Sequence, residues 1–394
     1  MLIYLVVFLI LLIPVIRFDL MRIEGNKDLW FYISLVTLIL LAGLRYRVGG
    51  DTIIYMRLFS TYPSLRELPT FDFENASYNR LWYLFNAPFV SMKSFTMFQI
   101  AHAIVVNCTF FWFFRKYVPS AYFTAILVYF IGYFFYFNME VLRESLSICV
   151  LLLSYPFLEK RRFIPFYLMC IVAMMFHTSS LIMLFMPLTL IVRRDRLWVY
   201  LLTVVGVIVF LSVFNIIEII LNLILGGAIA KSVYSYLMRD EPNFFGILAQ
   251  ALGMIPFFFL AFGRGLRKYN NDTTLGAVLV LLVVCQTAGM FVSIFTRFSN
   301  YLVPFGIALL VNTLYEHYWD WTNSFFIKTV MGCAMLTYVL NIGNYYYKDR
   351  SEDYPGAHHL YIYVPYNSVL NPQKDQRRET LVRNMRSKEV LFDF

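Results

Sequence analysis

The chain has 394 residues, of which 60% are hydrophobic and 14% are charged, and its formal net charge is +9. A soluble protein carries about 25% charged residues, so this composition excludes a soluble globular domain. The basic residues are scattered over short loops, which excludes a nucleic-acid-binding patch. Apolar runs separated by short polar loops instead predict an all-α, polytopic integral membrane protein.

Predicted membrane helices follow one another along most of the chain. We expect about 12 spans, which lie near residues 2–16, 29–44, 95–114, 119–137, 141–158, 163–177, 178–192, 197–216, 244–263, 274–295, 298–316 and 325–343. Residues 79–92 predict a half-helix or re-entrant segment, and residues 217–230 an interfacial or partly inserted one. Residues 1–343 therefore form a predicted transmembrane domain, and residues 344–394 a polar C-terminal tail.

Short basic loops predict the orientation of the chain. These loops all fall on one side of the predicted spans and contain residues 17–27, 115–116, 160–162, 193–196 and 264–268. The positive-inside rule assigns that side to the cytoplasm. Both termini then lie outside. The basic residues of the tail argue against this, but long segments follow the rule poorly.

A smaller set of charged residues falls on the outer side of the predicted spans. They are Arg45, Arg47, Asp51, Arg143, Glu144, His177 and Arg297. Ionisable groups beside the bilayer core are costly and usually face a polar cavity or a partner. The excess of arginine predicts a positive cavity, because a guanidinium can hold two phosphate oxygens at once. The Gly49-Gly50 pair could turn backbone amides toward the same anion.

Each of these residues also has an ordinary explanation. The arginines at helix ends can snorkel to the membrane interface; these are Arg45, Arg47 and Arg297. Arg143 can pair with glutamates near it on a helix surface, and His177 can be a packing residue. The predicted co-location of all of them favours a shared site. The aromatic run 129–137 can stack on sugar rings or form an interfacial aromatic belt.

At these residues the sequence resembles the EpsG family of bacterial polysaccharide proteins, a group similar to Wzy polymerases. The resemblance rests on Leu44-Arg45, Gly49-x-Asp51-x-x-x-Tyr55, Arg143 opening a span, Phe176-His177-x-Ser179, Arg297-x-x-x-Tyr301 and Pro365-Tyr366. These motifs occur in the family's order from about residue 30 to the tail. Glu144 is a departure, because the family commonly has Gln there, and this puts any transferred role for Glu144 in doubt.

The resemblance implies a fold like that of membrane-embedded glycosyltransferases that use lipid-linked sugars. It implies polymerisation of oligosaccharide repeat units carried on a polyprenyl diphosphate, at the outer face of the bacterial cytoplasmic membrane. The diphosphate lipid is the leaving group. Implied partners are these lipid-linked oligosaccharides, membrane lipids and, by resemblance alone, a flippase and a chain-length regulator.

Site roles follow for the residues already named. We expect the diphosphate and sugars to contact Arg45, Arg47, Arg143, Arg297, Tyr55 and Tyr301. His177, Asp51 and Glu144 compete for the role of general base, and His177 alternatively donates a hydrogen bond to substrate. We expect no cofactor and no metal, because preorganised arginines can stabilise the charge of the leaving group.

Three other functions fit parts of the pattern. A lipid-linked oligosaccharide flippase or another transporter has a similar number of spans, but here the charges gather at one face and the halves show no repeat. A membrane O-acyltransferase acting on glycans also uses a membrane-embedded histidine. An O-antigen-type ligase performs the same transfer onto a different acceptor, and the sequence does not separate it from a polymerase.

Overall fold

The apolar N-terminal run forms a helix, as its sequence predicts. In the computed structural model, α1 spans Leu2–Pro14 and continues as a π-helical segment over Val15–Leu20. The structure describes residues 2–191, 202–203, 206–207, 274–289, 292, 294–320, 340, 343, 345–347 and 358–387. In chain order, the further helices are α2 Lys27–Gly43, α3 Gly50–Leu58, α4 Arg80–Ser91, α5 Phe95–Tyr117, α6 Tyr122–Gly132, α7 Leu142–Glu159, α8 Phe163–Met174, α9 Thr274–Gly289, α10 Ile294–Asp320 and α11 Gln376–Ser387.

The chain divides into two units. The first contains residues 1–184 and 345–388, and the second contains residues 185–344 and 389–394. In the first unit, α2 packs on α5, α5 on α7, α7 on α8, and α1 on α6. In the second unit, α9 packs on α10. The C-terminal tail therefore groups with the N-terminal half of the chain.

Helix α5 shows how the local sequence defines an element of this bundle. The side chain of Ser94 caps its N-terminus by accepting a hydrogen bond from the amide of Met97 at 3.3 Å. Arg115 and Lys116 occupy its last turn, where cations interact favourably with the exposed carbonyl groups. The helix Phe95–Tyr117 has 23 residues, which is long enough to cross a membrane.

The two ends of the first unit carry different contacts. One end, called here the loop-rich end, contains Tyr4, residues 44–52, the turn 136–140 and residues 358–387. There the Tyr4 hydroxyl donates to the Tyr363 carbonyl at 2.7 Å. At the opposite end, Arg115 forms an ion pair with Asp28 at 2.7 Å. Arg45, Arg47 and Asp51 thus lie at the end of this unit opposite the basic residues Arg115 and Lys116.

The all-helical character of the fold is confirmed in the described part of the chain, and the structure has candidate membrane spans there. Helices long and apolar enough to cross a membrane are Leu2–Leu20, Phe95–Tyr117 and Ile294–Tyr315. Shorter apolar helices are Tyr122–Gly132, Phe163–Met174, Thr178–Leu190 and Thr274–Gly289. The full number of about 12 spans stays a prediction. Apart from isolated positions, the predicted segments 197–216, 217–230, 244–263 and 325–343 lie outside the described residues.

Some predicted elements differ in form. The predicted half-helix 79–92 is α4, Arg80–Ser91, whereas the predicted span 178–192 is a 3₁₀ helix over Thr178–Leu190. The predicted span 119–137 is interrupted after Gly132, and a π-helical turn follows over Tyr136–Glu140.

A buried asparagine explains that interruption. The amide of Asn138 donates to the Tyr129 hydroxyl at 2.8 Å and to the Phe134 carbonyl at 3.0 Å, and it accepts from Asn107 on α5 at 2.8 Å. A fully buried amide needs such partners, so the chain folds back on itself before α7 begins.

Candidate functional site

The loop that leaves α2 has an irregular backbone at the loop-rich end. Arg47 and Gly49 adopt positive φ angles of 54° and 98°. A Cβ atom at Gly49 would lie 2.3 Å from the carbonyl oxygen of Met139, so only glycine fits between this loop and the turn before α7. The amide of Gly49 donates to the carbonyl of Ile362 at 3.0 Å. This packing fixes where α3 begins and therefore where Asp51 lies in its first turn.

Arg45 is fully buried and hydrogen-bonded within the protein. Its Nε and Nη2 atoms donate to the Thr52 hydroxyl at 3.2 and 3.0 Å, and Nη1 donates to the Ala42 carbonyl. The Thr52 hydroxyl donates in turn to the Met139 carbonyl at 2.9 Å. Burial lowers the pKa of Arg45 to about 10, which leaves it charged at neutral pH. The geometry favours Arg45 as a tie between α2 and α3 over direct contact with substrate.

Arg47 forms a bidentate ion pair with an acid from the tail. Its Nε and Nη2 atoms donate to the two carboxylate oxygens of Glu379 on α11, at 2.5 and 2.7 Å. Arg57, in the last turn of α3, donates to the same carboxylate at 2.8 Å. The hydrogen bonds that Arg47 donates to Glu379 raise the pKa of Arg47. Most of the hydrogen-bonding fork of Arg47 is therefore already occupied.

Arg143, a predicted phosphate ligand, has N–H donors that its contacts with the described residues do not use. Its Nε atom donates to the Tyr55 hydroxyl at 2.8 Å, and its guanidinium lies over the Tyr78 ring, 4.2 Å from the centroid. Trp82 packs against Tyr55 with ring centroids 4.8 Å apart. Among the described residues, the terminal nitrogens Nη1 and Nη2 of Arg143 have no hydrogen-bond partner. Asp51 lies within electrostatic range of both Tyr55 and Arg143.

His177 lies at the same level as Arg143 in the α7–α8 hairpin. The Ser147 hydroxyl of α7 donates to the Ala173 carbonyl of α8 at 2.8 Å. Because the two helices are antiparallel, Arg143 and His177 each lie one turn beyond this contact, toward the loop-rich end. The amide of His177 donates to the same Ala173 carbonyl at 3.0 Å, which continues the helical path to that level. The two residues therefore lie at the same level of the α7–α8 hairpin, and a shared site for their side chains stays a prediction.

The Nδ1 atom of the His177 imidazole accepts a hydrogen bond from the backbone. The amide of Ser179 donates to its Nδ1 at 3.2 Å, so Nδ1 carries a lone pair and the proton of the neutral ring lies on Nε2. In this tautomer the ring can donate a hydrogen bond from Nε2, whereas the lone pair that a general base needs is used by the backbone. The geometry favours the hydrogen-bond donor role for His177 over the role of base.

The remaining predicted residues have different placements. Glu144 is 3% exposed and lies inside the bundle on α7. Arg297 and Tyr301 lie one turn apart on α10 of the second unit, where Tyr301 is fully buried. The roles of these three stay predictions. In the aromatic run 129–137, the buried core residues are Tyr129, Phe130, Phe134 and Phe137. Their burial leaves these rings no face for a sugar.

Sequence reasoning did not find the partners that hold these side chains. Glu379 is separated from Arg47 by 332 positions, and no local spacing indicates the pairing. Tyr78 belongs to a polar loop, and its stacking on Arg143 has no helical or strand periodicity to signal it. The tail also brings His359 within 3.1 Å of the Glu140 carboxylate, which accepts a hydrogen bond from Tyr363.

Comparison with known proteins identifies the family. The sequence model of the EpsG family matches residues 28–353. This chain belongs to the EpsG family. The resemblance noted in the sequence is thus confirmed, and the matched range contains the α3 loop, Arg143, His177 and Arg297. In this EpsG-family protein, α11 and Pro365-Tyr366 lie beyond the matched range. No curated protein and no solved structure matches the chain.

Proposed function

We propose that this EpsG-family protein is a glycosyltransferase that polymerises oligosaccharide repeat units carried on a polyprenyl diphosphate. The reaction takes place at the outer face of the bacterial cytoplasmic membrane. The observation that carries the proposal is Arg143, a half-buried arginine at the start of an apolar helix. It is held through Nε and its flat face, and no residue in the described part of the chain accepts a hydrogen bond from its terminal nitrogens.

The position of Arg143 suits a lipid-linked diphosphate. A prenyl tail stays in the bilayer, and a diphosphate stays hydrated, so this group sits at the boundary between lipid and water. Arg143 is the second residue of α7, an apolar helix that begins at the loop-rich end. Because its Nε is fixed by Tyr55, its terminal nitrogens are directed before substrate arrives, and such preorganised donors stabilise charge that develops in a transition state.

The transfer itself breaks one bond and forms one. A hydroxyl oxygen of the acceptor attacks the anomeric carbon of the donor and forms the new glycosidic bond. The bond between that carbon and the diphosphate oxygen breaks, and its electron pair leaves with the diphosphate lipid, whose charge Arg143 stabilises. The hydroxyl proton passes to a base.

We assign the role of base to Asp51. Its carboxylate is partly exposed and lies within electrostatic range of Arg143, whereas Glu144 is buried and His177 uses its Nδ1 lone pair on a backbone amide. His177 then donates a hydrogen bond to substrate from Nε2. From the sequence pattern we also propose that Arg297 and Tyr301 contact the lipid-linked glycosyl donor. No step requires a metal, because guanidinium groups supply the positive charge.

The test is a labelled lipid-linked repeat unit incubated with the purified protein in liposomes. A polymerase yields a ladder of lengthening lipid-linked chains. A flippase yields translocated but unaltered lipid, an acyltransferase yields acylated sugar when an acyl donor is present, and a ligase yields product only when its separate acceptor is added. Release of polyprenyl diphosphate in step with chain growth supports the proposal, and any of the other product patterns overturns it. Excess EDTA should leave the polymerisation rate unchanged.

A further inference from the structure

We propose that the C-terminal segment of this protein positions the residues of the site. Arg378 and Glu379 of α11 act as positioning residues for the loop and the helix that carry Arg47, Asp51 and Tyr55. The catalytic part of this inference rests on the proposed polymerase function. The segment lies outside the matched range 28–353, and the inference rests on the contacts of this chain's own residues.

The tail backbone pairs with the loop after α2. The Tyr46 amide donates to the Asn367 carbonyl at 2.8 Å, and the Val369 amide donates to the Leu44 carbonyl at 2.8 Å. Arg45 and Ser368 form an isolated antiparallel bridge between these bonds. The loop with positive φ angles is thus held along its length by residues far away in sequence.

Arg378 is a buried residue that connects the tail to this loop. Its side chain is 1% exposed. Nη1 donates to the Arg47 carbonyl at 2.9 Å, Nε donates to the Tyr361 carbonyl at 3.2 Å, and Nη2 donates to the Pro365 carbonyl. One guanidinium therefore joins α11, two points of the tail and the α2–α3 loop. Only arginine has enough donors in a fixed planar fork to do this, so lysine is not an equivalent replacement.

Glu379 makes the second connection. Its carboxylate accepts three hydrogen bonds from two arginines. Arg47 precedes α3, and Arg57 lies in its last turn. Burial raises the pKa of Glu379, but the hydrogen bonds and charges of Arg47 and Arg57 outweigh burial and hold it below its ordinary value. The carboxylate is therefore charged at neutral pH and restrains α3 at both ends.

The geometric consequence reaches the proposed base and the phosphate ligand. Asp51 and Tyr55 lie on α3 between the two arginines, and Tyr55 accepts the hydrogen bond that orients Arg143. A shift of α3 by about 1 Å is enough to cost on the order of 10²-fold in rate, because reacting groups must be aligned. The described hydrogen bonds of Arg378 and Glu379 join the tail to Arg47 and Arg57, so the effect that we propose on Arg143 is exerted through the position of α3.

The experiment compares neighbouring arginines on the same helix. Arg378→Ala and Arg378→Lys remove or reduce the buried fork, whereas Arg377→Ala changes an exposed neighbour and serves as the matched control. Glu379→Gln removes the charge, and Glu379→Asp tests rescue by a shorter acid. Each variant of the full chain is quantified in the membrane, and polymerisation is measured as kcat and KM. Hydrogen–deuterium exchange of residues 44–58 is measured in parallel.

We expect Arg378→Ala, Arg378→Lys and Glu379→Gln to raise exchange in residues 44–58 and to lower kcat by about 10²-fold, with Glu379→Asp recovering part of the activity and Arg377→Ala unchanged. Faster exchange confined to residues 358–387, or loosened α3 with normal kcat, would overturn the inference. If the wild-type protein makes no polymer, the proposed function fails. In that case, hydrogen–deuterium exchange of residues 44–58 still tests whether the tail restrains α3. If Arg378→Ala does not fold, the Arg378→Lys and Glu379→Gln variants provide the same test.

Discussion

The hydrogen bond between Tyr55 and Arg143 gives a quantitative test of the site. Arg143→Ala removes a preorganised donor to the departing diphosphate, a loss that typically costs about 3–4 kcal/mol, or roughly 10²–10³ in rate. Tyr55→Phe keeps the ring packed on Trp82 and removes only the acceptor for Nε, which lies 2.8 Å away. Hydrogen bonds to charged groups contribute about 1.5–3 kcal/mol.

These magnitudes predict an order of effects. Tyr55→Phe should slow polymerisation by roughly tenfold to 10²-fold, because each 1.4 kcal/mol is about a factor of ten. Arg143→Lys should recover only part of the loss in Arg143→Ala, since lysine reproduces the charge without the fork that meets both Tyr55 and phosphate. If Tyr55 acts by orienting that arginine, Tyr55→Phe should have no further effect in the Arg143→Ala background.

The assay is the initial rate of chain lengthening from a labelled lipid-linked unit in liposomes, normalised to folded protein. Size-exclusion chromatography of each detergent-solubilised variant controls for misfolding. Full activity of Arg143→Ala would refute the assignment of the phosphate ligand. Equal slowing by Tyr55→Phe in both backgrounds would show that Tyr55 acts independently of Arg143, and the orienting role would be wrong.

Four further outcomes follow from the structure. Gly49→Ala should reduce folded protein in the membrane, because its Cβ meets the Met139 carbonyl at 2.3 Å and its φ is 98°, whereas Gly50→Ala, whose Cβ meets Ile362 at 3.9 Å, should be tolerated; quantitative immunoblotting compares them. His177→Gln should retain more activity than His177→Ala, and equal activity would contradict the donor role. Because the pKa of Glu379 lies below its ordinary 4.5, its ion pairs should contribute fully to stability above about pH 4.5 and be lost as the pH falls through the lower folded value, and thermal unfolding of Glu379→Gln should lack that dependence. Ser60→Cys, at an exposed position just beyond α3, should react with an impermeant thiol reagent in intact cells, and labelling only after lysis would reverse the orientation.

Much of the site could be anticipated from the chain because charge in an apolar sequence is conspicuous. Arg45, Arg47, Asp51 and Arg143 stand out against long apolar runs, and the alternation of spans places them at one end of the first unit. The different contacts of these residues could not be predicted from the sequence. An isolated arginine has the same appearance in sequence whether its nitrogens bond to Thr52, to Glu379 or to Tyr55.

The elements that escaped prediction share a physical cause. Helix α3 is short and not strongly apolar, so it lacks the signal of a span. Helix α11 is a polar helix that buries Arg378, Leu381 and Val382. The 3₁₀ form of Thr178–Leu190 also has no distinct pattern, because an apolar run looks alike in both helix types. For α3 and α11 the contacts that hold the helix are made between residues distant in sequence.

The pairing of Arg47 with Glu379 has a consequence for the order in which the protein is made. Ribosomes deliver the α2–α3 loop early, and the acid that anchors it emerges 332 positions later. Throughout that interval the nascent chain contains Arg47 and Arg57 without their shared carboxylate. The contacts that restrain α3 are therefore completed only at the end of synthesis. On the proposed function, a product terminated before α11 would not polymerise lipid-linked sugars.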